Sequence, residues 1–180
     1  MNVTKIVWLP TLVLIFSSGC AMSFSSPAPR KVPDDFKLNY SFDIGALPPE
    51  YHYAYEIEIL NNGDGQVKFH LGYGEAGNPA FDESFTLTPE QVAALYQTLW
   101  QAGVFTNNWK PNEMPPVGGS STSLTVFNHG QTFIIPAFPE KGDREQLEAL
   151  YQQIHDLVPT VLWDQFEIAQ RQFEQEQNNP

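Results

Sequence analysis

Between Tyr51 and Tyr73 apolar and polar residues alternate on both sides of a cluster of turn formers, and no other segment restricts the fold as strongly. Tyr51, Tyr53, Tyr55, Ile57 and Ile59 are interleaved with His52, Ala54, Glu56 and Glu58. A period of two is the mark of a strand with one dry and one wet face. Asn61-Asn62-Gly63-Asp64-Gly65 follows, dense in residues that tolerate tight turns. Val67, Phe69, Leu71 and Tyr73 then alternate with Gln66, Lys68 and His70. One hairpin explains both patterns. Pairing Leu60 with Gln66 sets Ile57 opposite Phe69 and Tyr55 opposite Leu71 on the dry face. On the wet face it sets Glu58 opposite Lys68 and Glu56 opposite His70, each pair contributing about 0.2–1 kcal/mol. A slip of one residue would turn every aromatic ring to water, so the faces are fixed. Tyr51, Tyr53, Tyr55 and Tyr73 are expected to stack together on the dry side.

The flanking segments supply the rest of an α+β domain. Phe36 to Ile44 and Phe81 to Leu87 read as strands, and Pro48-Pro49 breaks the chain between the first strand and the hairpin. Thr88-Pro89-Glu90-Gln91 has the composition of a helix start: an N-cap hydroxyl, a proline in the first turn and a glutamine to complete a capping box. Val92, Leu95, Tyr96 and Leu99 make that helix's apolar stripe, Gly103 ends it, and Val104-Phe105 returns to the core. Leu124, Val126, Phe133 and Ile135 flank Asn128-His129-Gly130 as a second hairpin. Asp143 opens another helix carrying Leu147, Leu150, Ile154 and Leu157, closed by Pro159. Thr160 is expected to cap a last helix bearing Leu162, Phe166, Ala169 and Phe173, with a frayed polar end from Glu174 to Pro180. The expected architecture is an antiparallel sheet of five to six strands, built from two hairpins and packed against two helices, plus an additional C-terminal helix. The α+β domain would span residues 35–159, and the final helix and tail 160–180.

Ahead of the domain lies an address. Met1 to Lys5 form a short basic start, Ile6 to Phe16 an apolar run, and small residues lead to Cys20. This describes a signal peptide; a membrane-spanning helix needs about 20 apolar residues. Ser18-Gly19-Cys20 resembles the bacterial lipobox, although Ser17 stands where that motif usually carries Leu, Val or Ile. The resemblance implies removal of residues 1–19, lipidation of Cys20 and attachment to the bacterial cell envelope through that lipid. Secretion into the periplasm or medium, with cleavage after Ala21, is the alternative. Residues 20–34, rich in Ser and Pro, read as a tether.

Charge and motif content narrow the chemistry. Nine Lys and Arg against 21 Asp and Glu give a net charge of −12, which argues against nucleic acid as a partner because a phosphate backbone requires a basic patch. A single cysteine excludes an intrachain disulfide. His52, His70, His129 and His155 lie far apart without metal-ligand spacing, and no nucleophile elbow or phosphate-binding glycine motif occurs. No catalytic residue, metal or cofactor is therefore assigned. Asn61 to Gly65 fits a turn better than a calcium loop, whose ligands fall on alternate positions. His70 with Glu56 reads as a cross-strand charge pair. The segment from Thr106 to Ser121 stands out, with three prolines, two glycines and no periodicity. Long loops inside compact domains usually carry function, and Trp and Met favour binding surfaces. Trp109, Met114, Pro115, Pro116, Gly118 and Gly119 are the candidate recognition residues.

Leu95-Tyr96-Gln97-Thr98-Leu99 leading to Val104-Phe105, then Leu124-Thr125-Val126-Phe127 with Gly130, then Leu147 to Leu157, together resemble emfourin-type inhibitors of thermolysin-like metalloproteases. The likeness covers Leu87 to Val158. It implies a small α+β fold and a protein-binding habit, and no site residue carries over. The lipid-type signal, the longer first hairpin, the loop from Thr106 and the extra final helix depart from the pattern. The expected function is thus a lipid-anchored, non-catalytic envelope module with an unidentified protein partner, possessing a protease-inhibitor-like fold. A small-molecule or glycan binder using exposed aromatics is the alternative, and a hydrolase assembled from scattered His and carboxylate groups is the second.

Overall fold

The computed structural model describes residues 31–74, 78–140 and 144–179. Cys20, the signal peptide and most of the tether lie outside the described residues, as does the Asp143 helix cap. Six strands and three helices follow in order: β1 (Lys37–Asp43), β2 (Tyr53–Leu60), β3 (Asp64–Leu71), β4 (Ala80–Thr86), α1 (Pro89–Gln101), β5 (Ser121–Asn128), β6 (Gln131–Ile135), α2 (Arg144–Leu157) and α3 (Thr160–Asn178). The strands form one antiparallel sheet in the order β4-β3-β2-β1-β5-β6. The two hairpins are joined through β1, which pairs with β2 on one side and β5 on the other. This is the α+β class expected from the sequence, with its additional C-terminal helix.

One face of the sheet is dry. Leu38, Tyr40, Tyr55, Ile57, Ile59, Val67, Phe69, Leu71, Leu124, Val126 and Ile135 are buried there, and the apolar stripes of all three helices pack into the same core. Each such side chain removed from water contributes about 1.5–3 kcal/mol. The opposite face is polar. Antiparallel sheets tolerate this because only one side needs covering.

The first hairpin has the expected faces and a different register. Tyr55 stands opposite Phe69, Ile57 opposite Val67, Glu56 opposite Lys68 and Glu58 opposite Gln66. The shift is two residues, so no side chain changes face. Its cause is the turn, which uses three residues rather than five. Gly63 takes φ +89°, its N–H donates to the Leu60 carbonyl, and the Asn62 side chain accepts from the Asp64 N–H at 3.1 Å. Pairing therefore resumes at Asp64. The charge partners change accordingly: Glu58 pairs with Lys37 of β1, and His70 faces Ala54 rather than Glu56.

The expected stack of four tyrosines is also corrected. Tyr55 is buried and Tyr53 half-buried, whereas Tyr51 sits in a 3-10 turn (Pro49–Tyr51) with its ring 40% exposed. Pro48-Pro49 starts that turn and ends the alternation two residues early. Tyr73, beyond the end of β3, is 51% exposed and stacks on His52.

At α1 the local signals all hold. Thr88 and Gln91 form the reciprocal capping box, and Gly103 adopts φ +72° just past the end. In α3 they do not. Pro159 occupies the N-cap position and offers no side-chain acceptor, while Thr160 is already helical. The helix also runs through Asn178 instead of fraying at Glu174. Gln170 donates to Glu174 one turn on, and the Asn178 amide donates to the Glu174 carbonyl.

The second hairpin turns on His129 (φ 51°) and Gly130 (φ 72°), the pair of positive φ values that a two-residue turn needs to match strand twist. Asp35 braces it from the other end of the domain. Its carboxylate accepts from the His129 N–H at 3.1 Å and the Gly130 N–H at 2.7 Å. The Gly130 bond is the largest cause holding the Asp35 pKa below its usual value. A carboxyl lowered in this way stabilises the fold above the ordinary carboxylate range, and that contribution is lost as pH falls through the lowered pKa. Asp35→Asn is expected to reduce Tm at pH 7, with the gap from the native protein closing in acid. A gap that stayed constant from pH 7 to pH 2 would contradict this account.

Candidate functional site

Three surfaces merit comparison: the loop between α1 and β5, a cleft lined by aromatic rings, and a groove on the polar sheet face.

The loop is held at its base and bare at its tip. Trp109 is half-buried, and its indole N–H donates to the Val104 carbonyl at 3.4 Å. The Asn112 N–H donates to Phe138 at 2.7 Å, the Glu140 N–H to Lys110 at 3.1 Å, and Pro111 bridges to Pro139. On the return side Gly119 packs against Gly45, so closely that a Cβ on Gly45 would stand 2.1 Å from the Gly119 carbonyl oxygen. Between these anchors Met114 is 84% exposed, Val117 is fully exposed, and Pro115, Pro116, Gly118 and Gly119 are all exposed. Of the six candidate residues, five thus form or flank an open tip, and Trp109 braces the base. Val117 belongs with them. Its position between Pro116 and Gly118 was legible, because a branched apolar residue in such a run has no helical or strand stripe to join.

The cleft lies on the helical side of the sheet. It has a volume of about 250 Å³ and is lined by Phe42, Tyr53, Tyr55 and Phe69 from the strands and Trp163, Phe166, Glu167 and Gln170 from α3, with His155 from α2. The strand rings lie nearly parallel: Phe42 to Tyr55 at 4.9 Å and 22°, Tyr53 to Phe69 at 5.6 Å and 26°. Trp163 stands steeply against them, 4.9 Å and 68° from Tyr55. His155 stacks flat on Trp163 at 4.2 Å, and the Trp163 indole N–H donates to the His155 carbonyl. Burial pushes the Tyr53 and Tyr55 phenols up, Tyr55 strongly. These hydroxyls consequently remain neutral hydrogen-bonding groups. No sequence pattern pointed to this cleft, because its walls come from elements about 110 residues apart in the chain.

The groove, about 190 Å³, is lined by polar residues of β1, β2, β3 and β5, including Asn39, Ser41, Glu56, Lys68, Ser123 and Thr125. Its charges face each other across strands, with Glu56 directly opposite Lys68. Such exposed pairs are screened by water and contribute little energy.

His52 is the one histidine with a strongly buried ring, at 3% exposure. Nδ1 lies 2.8 Å from the Gly72 carbonyl and Nε2 3.3 Å from the Asp43 carboxylate, while the ring stacks on Tyr73. Although the Asp–His pairing has the form of a general base and its orienting partner, both ring nitrogens are occupied, leaving no edge for a substrate proton. This cluster latches the ends of β1 and β3 to the turn before β2. Among the described residues, no group of three or more His, Cys, Asp or Glu is placed to hold a metal ion, and no helix is long and apolar enough to cross a membrane.

No protein-family model matches this sequence, and no curated protein matches it either. Any functional reading therefore stands on the chemistry of these surfaces.

Proposed function

We propose that the chain is a lipid-anchored, non-catalytic envelope protein that recognises another protein through the tip of the loop between α1 and β5. The observation that carries this reading is the contrast within one loop: a base fixed by the Trp109 indole bond to the Val104 carbonyl and by the two backbone hydrogen bonds of the Pro111–Pro139 bridge, and a tip presenting Met114 and Val117 to water. Burying bare apolar side chains drives association. Fixing their backbone beforehand reduces the ordering cost that binding would otherwise incur. Met suits such a surface because its flexible thioether adapts to an irregular pocket. The resemblance to emfourin-type inhibitors, which does not extend to this loop, makes a thermolysin-type metalloprotease the first partner to try.

The test is inhibition of such a protease by the mature chain, compared with the double variant Met114→Ser/Val117→Ser. Both substitutions lie at fully solvated positions, so Tm should not change. An inhibition constant weakened about tenfold or more, equivalent to at least ~1.4 kcal/mol, is the expected result. Equal inhibition by both forms would place the contact elsewhere. Absence of inhibition by the native chain would discard the protease as partner. The anchor is read in the same cells by metabolic labelling with an alkynyl fatty acid: Cys20→Ala should lose the label, and equal labelling would refute lipidation at Cys20.

A further inference from the structure

The two edges of the sheet are finished differently. β4, at one end of the strand order, carries Asp82 and Glu83, and α3 reaches it through the Gln165 amide, which donates to the Glu83 carboxylate. β6, at the other end, reads Gln-Thr-Phe-Ile-Ile and has neither charge nor proline. Folded proteins ordinarily blunt an open edge with charge, proline or a covering segment, because its unpaired backbone groups accept a further strand. We propose that β6 is a self-association edge, at which a second copy of this chain adds its own β6 antiparallel and continues the sheet.

The turn settles which backbone groups are open. His129 and Gly130 both take positive φ, 51° and 72°, the two-residue turn whose flanking residues bond to each other. Those residues are Asn128 and Gln131. Bonding alternates along an antiparallel ladder, so Val126 with Phe133 and Leu124 with Ile135 are the next bonded pairs. The N–H and C=O groups of Thr132 and Ile134 therefore point away from β5. Among the described residues, no backbone group of a turn or loop bonds to either, and the loop base meets the chain at Phe138 and Glu140, beyond the end of β6. Apolar surface lies beside these open groups. Ile134 is 59% exposed on the polar face, and its diagonal neighbour Phe127 on β5 is 39% exposed.

Charge and symmetry select the occupant. With a net charge of −12, two copies repel unless the surfaces that meet are free of carboxylates. β6 and β5 behind it contain no charged residue, whereas two β4 edges would bring Asp82 and Glu83 of both copies together. A two-fold contact also needs a patch that complements itself. Centring the axis on Phe133 meets that requirement: Thr132 stands opposite Ile134 of the second copy and Ile134 opposite its Thr132, each pair exchanging both backbone bonds. The half-buried Phe133 rings then lie side by side on the helical face. Five residues of edge make a small contact, so the dimer is weak in free solution.

Sedimentation of the mature chain in a density-matched nonionic detergent reads the association directly. The expected result is a monomer–dimer equilibrium with a dissociation constant of about 10–300 μM, the weak end for interfaces. Ile134→Lys, at a solvated position, should weaken the dimer about tenfold or more with Tm unchanged. Ser84→Lys sets the same charge at an exposed position of β4 and should leave association as it is. Cysteine pairing reads the register. An oxidised mixture of Thr132→Cys and Ile134→Cys chains should form covalent dimers faster than either variant alone, because directly paired strand residues stand within disulfide reach; the native chain supplies the background from Cys20. A chain that stays monomeric at millimolar concentration would overturn the proposal. A dimer untouched by Ile134→Lys would place the contact elsewhere, and equal weakening by Ile134→Lys and Ser84→Lys would mark a general charge effect; either result overturns it too. The loop tip is a separate surface, so Met114→Ser/Val117→Ser should sediment as the native chain does, and failure of protease inhibition leaves these outcomes unaltered.

Discussion

Phe166→Ala is expected to cost about 3–5 kcal/mol of folding free energy, the range for removing a fully buried phenylalanine and leaving a cavity behind. Phe166 has no exposed surface. Its ring lies parallel to Phe69 at 4.7 Å, and it contacts Phe81 and Trp163 at 5.7 Å each. Truncation removes three aromatic contacts at once, and the strands beneath are too firmly paired to collapse into the space. At about 2–4 °C per kcal/mol for a chain of this length, Tm should fall by about 6–20 °C. The variant also decides whether α3 is part of the cooperative core. If it is, denaturant unfolding followed by far-ultraviolet circular dichroism and by tryptophan fluorescence should give one shared midpoint, lower than that of the native protein. A loss under 1 kcal/mol, or a separate early transition confined to helix signal, would mean that α3 folds as an appendage. The cleft should respond as well, because Phe166 supports the Phe69 ring that lines it.

The features readable in the sequence are those that short stretches of chain settle by themselves. The capping box at Thr88 and Gln91 involves residues three apart, and the alternation from Tyr53 to Ile59 needs only the strand's own period; both appear as expected. The two-residue turn at His129-Gly130 is likewise local. The register of the first hairpin was missed because Asn-Asn-Gly-Asp-Gly is compatible with turns of three or five residues, and only the Asx hydrogen bond of Asn62 to Asp64 selects the shorter. His52 reads as a wet-face residue by alternation. It is buried because Asp43 at the end of β1 and Gly72-Tyr73 just beyond β3, two other points of the chain, close around it. The cleft was invisible for the same reason: the helical spacing of Leu162, Phe166, Ala169 and Phe173 predicts one packed stripe, whereas Trp163 and Glu167 lie beside that stripe and meet Tyr53 and Tyr55 only after α3 docks. The loop tip was legible through its composition, since a run of Pro and Gly around Met114 and Val117 has no regular element to bury those side chains.

The attachment of the loop can be broken at a residue outside it. Gly45 adopts φ +99° between β1 and the turn before β2, and a Cβ there would meet the Gly119 carbonyl oxygen at 2.1 Å and its carbon at 2.7 Å. Gly118 adopts φ +84° with nothing within 4 Å of the same built atom. The two glycines therefore share the backbone penalty and differ in the clash. Gly118→Ala should cost about 1–2 kcal/mol, the left-handed penalty alone. Gly45→Ala adds a collision with backbone, which cannot swing aside as a side-chain end can, and overpacking of that kind costs about 1–3 kcal/mol more. The cheapest relief is for the return arm of the loop to leave Gly45. Cleavage after the exposed Glu113 by a glutamate-specific endoprotease should then be much faster in Gly45→Ala than in Gly118→Ala at equal fractions folded, and protease inhibition should weaken in Gly45→Ala even though Met114 and Val117 are intact. Equal cleavage rates in the two variants would show that the loop keeps its shape without this contact, and preorganisation at Gly45 would no longer explain recognition at the tip.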